Sequence, residues 1–175
     1  MMNKRIAAKK LAGSRRTIIL NGIILLALTL LLSGQAIAGD EADDLHQMVQ
    51  VERSNKSFPQ TLESFKEEAD KAGWSVLNVN NMAGVLSRRG YTLDPVVILD
   101  VCSGKYSAQI LGNDDYRPIS AFMPCRVSIY QTSNGEVFIA RLNTGAFLEM
   151  MSPEVADVMS ASDEEVARII AETVR

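Results

Sequence analysis

From Met48 onward the chain switches between two hydrophobic rhythms, a period of two and a period near 3.6, and the switches mark out its elements. Met48 to Arg53 sets Met48, Gln50 and Glu52 on one side and Val49, Val51 and Arg53 on the other, the pattern of a short edge strand. Ser57-Phe58-Pro59-Gln60 reads as a capping box, and the helix it opens runs to about Ala72 with Leu62, Phe65, Ala69 and Ala72 as its apolar stripe. Gly73 stands where a left-handed residue ends a helix. Trp74 to Val79 is a second strand, and Asn80-Asn81 breaks it before a short helical stretch from Met82 to Arg88. The continuous run Val96-Val97-Ile98-Leu99, closing at Asp100-Val101-Cys102, predicts a central strand buried on both faces.

Ser103 is placed to cap a helix carrying Tyr106, Ile110 and Leu111, halted at Gly112-Asn113. A Pro-containing loop from Asp114 to Pro118 leads into Ile119 to Met123. Beyond Pro124, Cys125, Val127 and Ile129 alternate with Arg126, Ser128 and Tyr130, a half-buried strand. Asn134-Gly135 supplies the positive-φ residues of a tight hairpin, and Phe138, Ala140 and Leu142 are expected on the inner face of the returning strand. The tail reads as helical pieces: Thr144 to Met151, Pro153 to Met159, and a last helix opened by a second capping box, Ser162 and Glu165, with Val166, Ile169, Ile170 and Val174 as its apolar face. Strands and helices in this order predict a single α+β domain, a mostly antiparallel sheet with helices packed on one face.

The segment before Met48 is of another kind. Met1 to Ala38 holds Lys4, Arg5, Lys9, Lys10, Arg15 and Arg16 and no acid, and Thr17 to Gly39 carries no charge at all. With Ala36-Ile37-Ala38 at its end, this is the pattern of a signal peptide (1–38) cleaved after Ala38. The competing expectation is an uncleaved anchor, the chain's one means of meeting a membrane. Ser14-Arg15-Arg16 is a degenerate twin-arginine motif, so the export route is open between the general and the twin-arginine pathways. Either route predicts a periplasmic or secreted protein. Residues 39–46 are expected to be flexible, and 47–143 to form the core, followed by a helical extension at 144–175.

Composition narrows the chemistry. With the leader's bases set aside, 21 acidic residues dominate the mature chain, which excludes a nucleic-acid-binding surface built on Lys and Arg clusters. The one histidine, His46, falls in the flexible segment and reads as a solvated residue, which removes the rigid base that a Ser-His or Cys-His mechanism needs. There is no G-x-G-x-x-G, no Walker A motif and no C-x-x-C-H. Met123, Met150, Met151 and Met159 are read as core residues rather than soft metal ligands, so no metal site is expected.

Cys102 and Cys125 carry the open chemical question. Alternation puts both on inward-facing registers in a protein bound for an oxidising compartment. A disulfide between them would close a loop of about 24 residues and stabilise by roughly 3 kcal/mol in the chain-entropy account. A redox or ligand-binding thiol pair is the second reading, because Cys102 lies just before a helix N-terminus. Two buried free thiols are the third. Asp100 either orients a ligand or proton beside Cys102 or caps the following helix.

The span from about Val49 to Asn143 resembles the domain of unknown function 302 family. The resemblance rests on Ser57 with its helix, Gly73-Trp74-Ser75-Val76, the strand Val96 to Asp100 with Cys102, and Tyr106-Ser107-Ala108. It rests above all on Ala121-Phe122-Met123-Pro124-Cys125-Arg126-Val127-Ser128-Ile129-Tyr130, closed by Gly135 to Ile139. It implies an α+β fold similar to the TATA-box-binding-protein arrangement, and a homodimer, but no established reaction or cofactor. Relatives often carry Asn-Pro after the first cysteine, where this chain has Ser103-Gly104.

These readings converge on an exported, dimeric binding or accessory module without a catalytic site. Its pocket is expected near Asp100, Cys102, Cys125 and Arg126, with a small ligand or protein partner of unknown identity and unknown cofactors. The alternative is a thiol redox protein cycling Cys102 and Cys125.

Overall fold

Five strands form one antiparallel sheet in the order β1-β5-β4-β3-β2, in a computed structural model that describes Met48–Arg175. They are β1 (Val49–Ser54), β2 (Ser75–Asn81), β3 (Val96–Cys102), β4 (Cys125–Gln131) and β5 (Val137–Leu142). Between them run α1 (Phe58–Lys71), α2 (Met82–Ser87) and α3 (Gly104–Leu111), then a 3-10 helix (Arg117–Phe122) before β4. A second 3-10 helix (Thr144–Met150) and the long α4 (Pro153–Val174) complete the chain. The α+β expectation is therefore met. His46 and the leader lie outside the described residues, and among those described no helix is long and apolar enough to cross a membrane.

Local signals account for much of this. The Ser57 N–H donates to the Gln60 side-chain oxygen at 3.1 Å, closing the returning half of the capping box, and Gly73 takes φ +75° at the end of α1. β1 sits at the sheet edge against β5, as its alternation requires.

The core lies between one face of the sheet and the helices α1, α3 and α4. Val97, Leu99 and Val101 of β3, Val127 and Ile129 of β4, and Val137 and Ile139 of β5 are buried there. From the helices come Phe65 and Ala69 of α1, Tyr106 of α3, and Val166, Ile169 and Ile170 of α4. Each such aliphatic or aromatic side chain contributes about 1.5–3 kcal/mol by leaving water. The C-terminal segment is thus part of the core. A second cluster, Ile110, Val155 and Met159, with Met123, Leu148 and Met151 packed on it, fills the end of the molecule where β3 finishes and β4 begins.

The structure corrects four expectations. In β5 the inner face is Val137, Ile139 and Arg141; Phe138 and Ala140 are half-buried and Leu142 is exposed. The reason is register: Ile129 pairs with Ile139 and Val127 with Arg141, so Phe138 falls opposite Tyr130 on the second face, where the two rings stack at 5.5 Å. β3 is buried on one face only, with Val96, Ile98, Asp100 and Cys102 half-buried on the other parity. The tail contains no helix start at Ser162: α4 is continuous, and Ser162 is a buried residue in its middle. Met150 is an exposed residue, whereas Met123, Met151 and Met159 pack as expected.

Candidate functional site

A cavity of about 360 Å³ opens where the carboxyl end of β5 meets the start of β4. Four pieces of chain wall it. The first 3-10 helix brings Phe122, and the cis Met123-Pro124 segment leads into Cys125 and Arg126 at the start of β4. β5 brings Arg141 and Leu142, and the second 3-10 helix brings Thr144 and Phe147. α4 closes it with Met159, Ser162, Asp163 and Val166. The walls are largely apolar, and the polar groups gather on one side.

That polar group is built around Arg141, which is only 7% exposed. Its position is fixed by strand alternation, since it continues the inward series Val137, Ile139. A buried guanidinium requires both charge compensation and hydrogen-bond acceptors, because an unpaired charge in a low-dielectric interior costs several kcal/mol. Asp163 of α4 supplies the charge through an ion pair from Arg141 Nη1, Gln50 of β1 accepts from Nη2, and the Leu142 carbonyl accepts from Nη1 at 3.4 Å. Gln50 is held in turn, its amide donating to Asn143 Oδ1 at 3.0 Å. The result is a neutral pair with a fixed direction at one edge of an apolar cavity.

The expected site residues are divided between two places. Cys125 and Arg126 line the large cavity. Asp100 does not: directly opposite Arg126 in the β3–β4 register, it pairs with Arg126 Nε at 3.3 Å and accepts from Asn80 at 3.4 Å. It caps no helix; the residue before α3 is Ser103, whose side chain makes no capping bond. Cys102 lies in a second, much smaller cavity of about 20 Å³, which it shares with Cys125, Trp74, Met123, Met159 and Ser107.

The two cysteines are free thiols. They do not share an inward register, because Cys125 pairs with Val101 and so has the parity of the buried residues, leaving Cys102 on the other. Both nevertheless reach the small cavity, since Cys102 ends its strand and turns its sulfur to Ser107 Oγ of α3 at 2.8 Å. Burial pushes the Cys125 thiol up from its ordinary 9.0; the Ser162 hydroxyl, by hydrogen bonding, opposes the rise, and neighbouring Cys102 and Asp163 add to it. Burial thus favours the protonated form of Cys125. Beside the pair, the Trp74 indole N–H is buried without a hydrogen-bond partner.

Sequence reasoning missed Arg141 and Asp163, and each carried a signal. An arginine in phase with Val137 and Ile139 is a charge on an inward register. Asp163 stands four residues after Met159 and three before Val166, on the apolar stripe of α4. Among the described residues no group of three or more His, Cys, Asp and Glu side chains comes together.

An antiparallel sheet backed by helices, with a cavity at one end, defines an α+β domain. The chain belongs to the family described as Domain of unknown function DUF302, whose model matches residues 49–173. The match runs through α4, beyond the Asn143 limit of the resemblance seen in sequence. An uncharacterised conserved DUF302 protein from Bacillus stearothermophilus has a similar structure, with a TM-score of 0.66 and 22% identity over 73% of this chain and 98% of its own. At that identity the likeness concerns the fold. No curated protein is significantly similar to the chain.

Proposed function

We propose that this protein is an exported, dimeric binding module that takes a small amphipathic molecule into the large cavity. The observation that carries the reading is the Arg141–Asp163 pair set in the wall of an apolar cavity of about 360 Å³. That size and composition, mostly apolar with a few convergent polar groups, are what small-molecule sites share. Phe122, Phe147 and Met151 suit a ring or short chain, and the Arg141–Asp163 pair in the wall, with the exposed Arg126 beside it, suits a polar, anionic head. Export rests on the leader pattern, and dimerisation on the family resemblance.

Anilinonaphthalene sulfonate, an aromatic body with one anionic head, is the probe. Its fluorescence should rise saturably with one site per chain, and Thr144→Trp, at the cavity wall, should abolish the rise without unfolding the protein. Undiminished binding in that variant, or no saturable binding by the parent protein, would overturn the assignment.

The alternative, a thiol redox protein cycling Cys102 and Cys125, draws support from the small cavity that both thiols line. The burial that raises the Cys125 thiol weighs against it, since it disfavours the thiolate through which thiol exchange proceeds.

A further inference from the structure

The small cavity gathers every kind of sulfur the protein offers. Cys102 arrives from the end of β3, Cys125 from the start of β4, Met123 from the turn before it and Met159 from α4. Three different stretches of chain thus converge on about 20 Å³, the volume of a single small ion or water. Thiolates and thioethers are soft ligands that select Cu(I), while hard cations require oxygen-rich sites. The oxygen-bearing residues on this wall include Ser103, Ser107 and Ser162, and no carboxylate is among them. Trp74 completes the wall with an aromatic ring, which attracts a cation lying near its face.

We propose that Cys102 and Cys125, supported by Met123 and Met159, form a binding site for one soft monovalent cation, Cu(I) or its analogue Ag(I). Binding replaces two S–H protons with two metal–sulfur bonds; the protons leave to solvent and no electron moves. The site goes from neutral to a single negative charge, which Arg141, close enough to act on Cys125, helps to offset. Met123, Cys125 and Met159 line both cavities, whereas Cys102 lines only the small one, so Cys102 is the residue whose substitution separates this site from the amphipathic-ligand reading.

The test is an anaerobic titration of the full reduced chain with Cu(I), against a colorimetric Cu(I) chelator, read by X-ray absorption and by tryptophan emission. Trp74 is the only tryptophan, so its emission reports this cavity alone. One copper per chain, sulfur-only coordination and quenched emission are expected. Cys102→Ser should lower affinity by more than the roughly 100-fold that loss of a ligand's supporting contacts costs, while leaving anilinonaphthalene sulfonate binding intact. The Met123→Leu, Met159→Leu double variant keeps both cysteines and the core volume and should weaken binding measurably. Nitrogen or oxygen coordination, copper binding unaffected by Cys102→Ser, or preference for Zn(II) over Cu(I) would each overturn the proposal.

Discussion

Arg141 of β5 and Asp163 of α4 form an ion pair in the interior, joining the sheet to the long helix at the rim of the cavity. Breaking a buried pair by removing one partner leaves the other charge desolvated and alone, a loss of about 3 kcal/mol or more. Arg141→Ala should therefore destabilise the protein by about that amount in urea unfolding. The double variant Arg141→Gln, Asp163→Asn leaves no charge stranded and should cost clearly less. Equal losses in the two would mean that the pair is solvated and weak.

The two faces of β5 give a second contrast. Ile139 is fully buried, so Ile139→Ala should cost about 2–5 kcal/mol, transfer and cavity terms together. Phe138, stacked on Tyr130 at the half-buried face, should lose only about 1 kcal/mol on truncation to Ala. The reverse order in equilibrium unfolding would restore Phe138 to the core and contradict the register.

Ser162 separates a cap from a mid-helix residue. At an N-cap, Ser162→Ala would cost about 1 kcal/mol and Glu165→Ala would remove the reciprocal bond. Inside a continuous helix, Glu165→Ala should change stability by less than about 0.5 kcal/mol. Ser162→Ala should instead act on Cys125, removing the hydrogen bond that restrains its titration and moving the thiol further into the alkaline range. Alkylation rates measured against pH report this directly.

The raised Cys125 thiol also has a consequence for stability. The folded state holds the proton more tightly than the unfolded chain does, so the associated stabilisation is complete below the ordinary thiol value of 9.0. It is lost as pH rises through the folded value. Stability of the parent protein should fall in the alkaline range more steeply than that of Cys125→Ala. Parallel pH profiles would show that burial does not control this thiol.

Export and thiol state can be read together from the intact mass of the protein recovered from the producing cell. Cleavage after Ala38 and two thiols that alkylate once the protein is unfolded are the expected outcome. A mass lower by two protons with no alkylation would establish a Cys102–Cys125 bridge in the mature protein. Retention of residues 1–38 would favour the anchor.

The fold was largely legible because its signals are local. Ser57 with Gln60, Gly73, and the alternation of Cys125 to Tyr130 each specify an element within a few residues. The candidate site was much less so, because what makes it is tertiary. Arg141 argues against its own strand face until Asp163 and Gln50, remote in sequence, are placed beside it. Ser162-Asp163-Glu164-Glu165 imitates a helix start, but no glycine or proline follows Pro153, so nothing stops the helix already under way. Arg141, which an inner face of Phe138, Ala140 and Leu142 would turn outward, and Ser162, read as a cap, are both inside the molecule.

The central claim is that the cavity beside Arg141 takes a small amphipathic anion, and a crystal structure of the protein soaked with anilinonaphthalene sulfonate tests it most directly. The account predicts the ring system among Phe122, Phe147 and Met151 with the sulfonate turned toward Arg141 or Arg126. The probe bound instead on the second face of the sheet, near Tyr130 and Phe138, with the cavity unchanged, would contradict it.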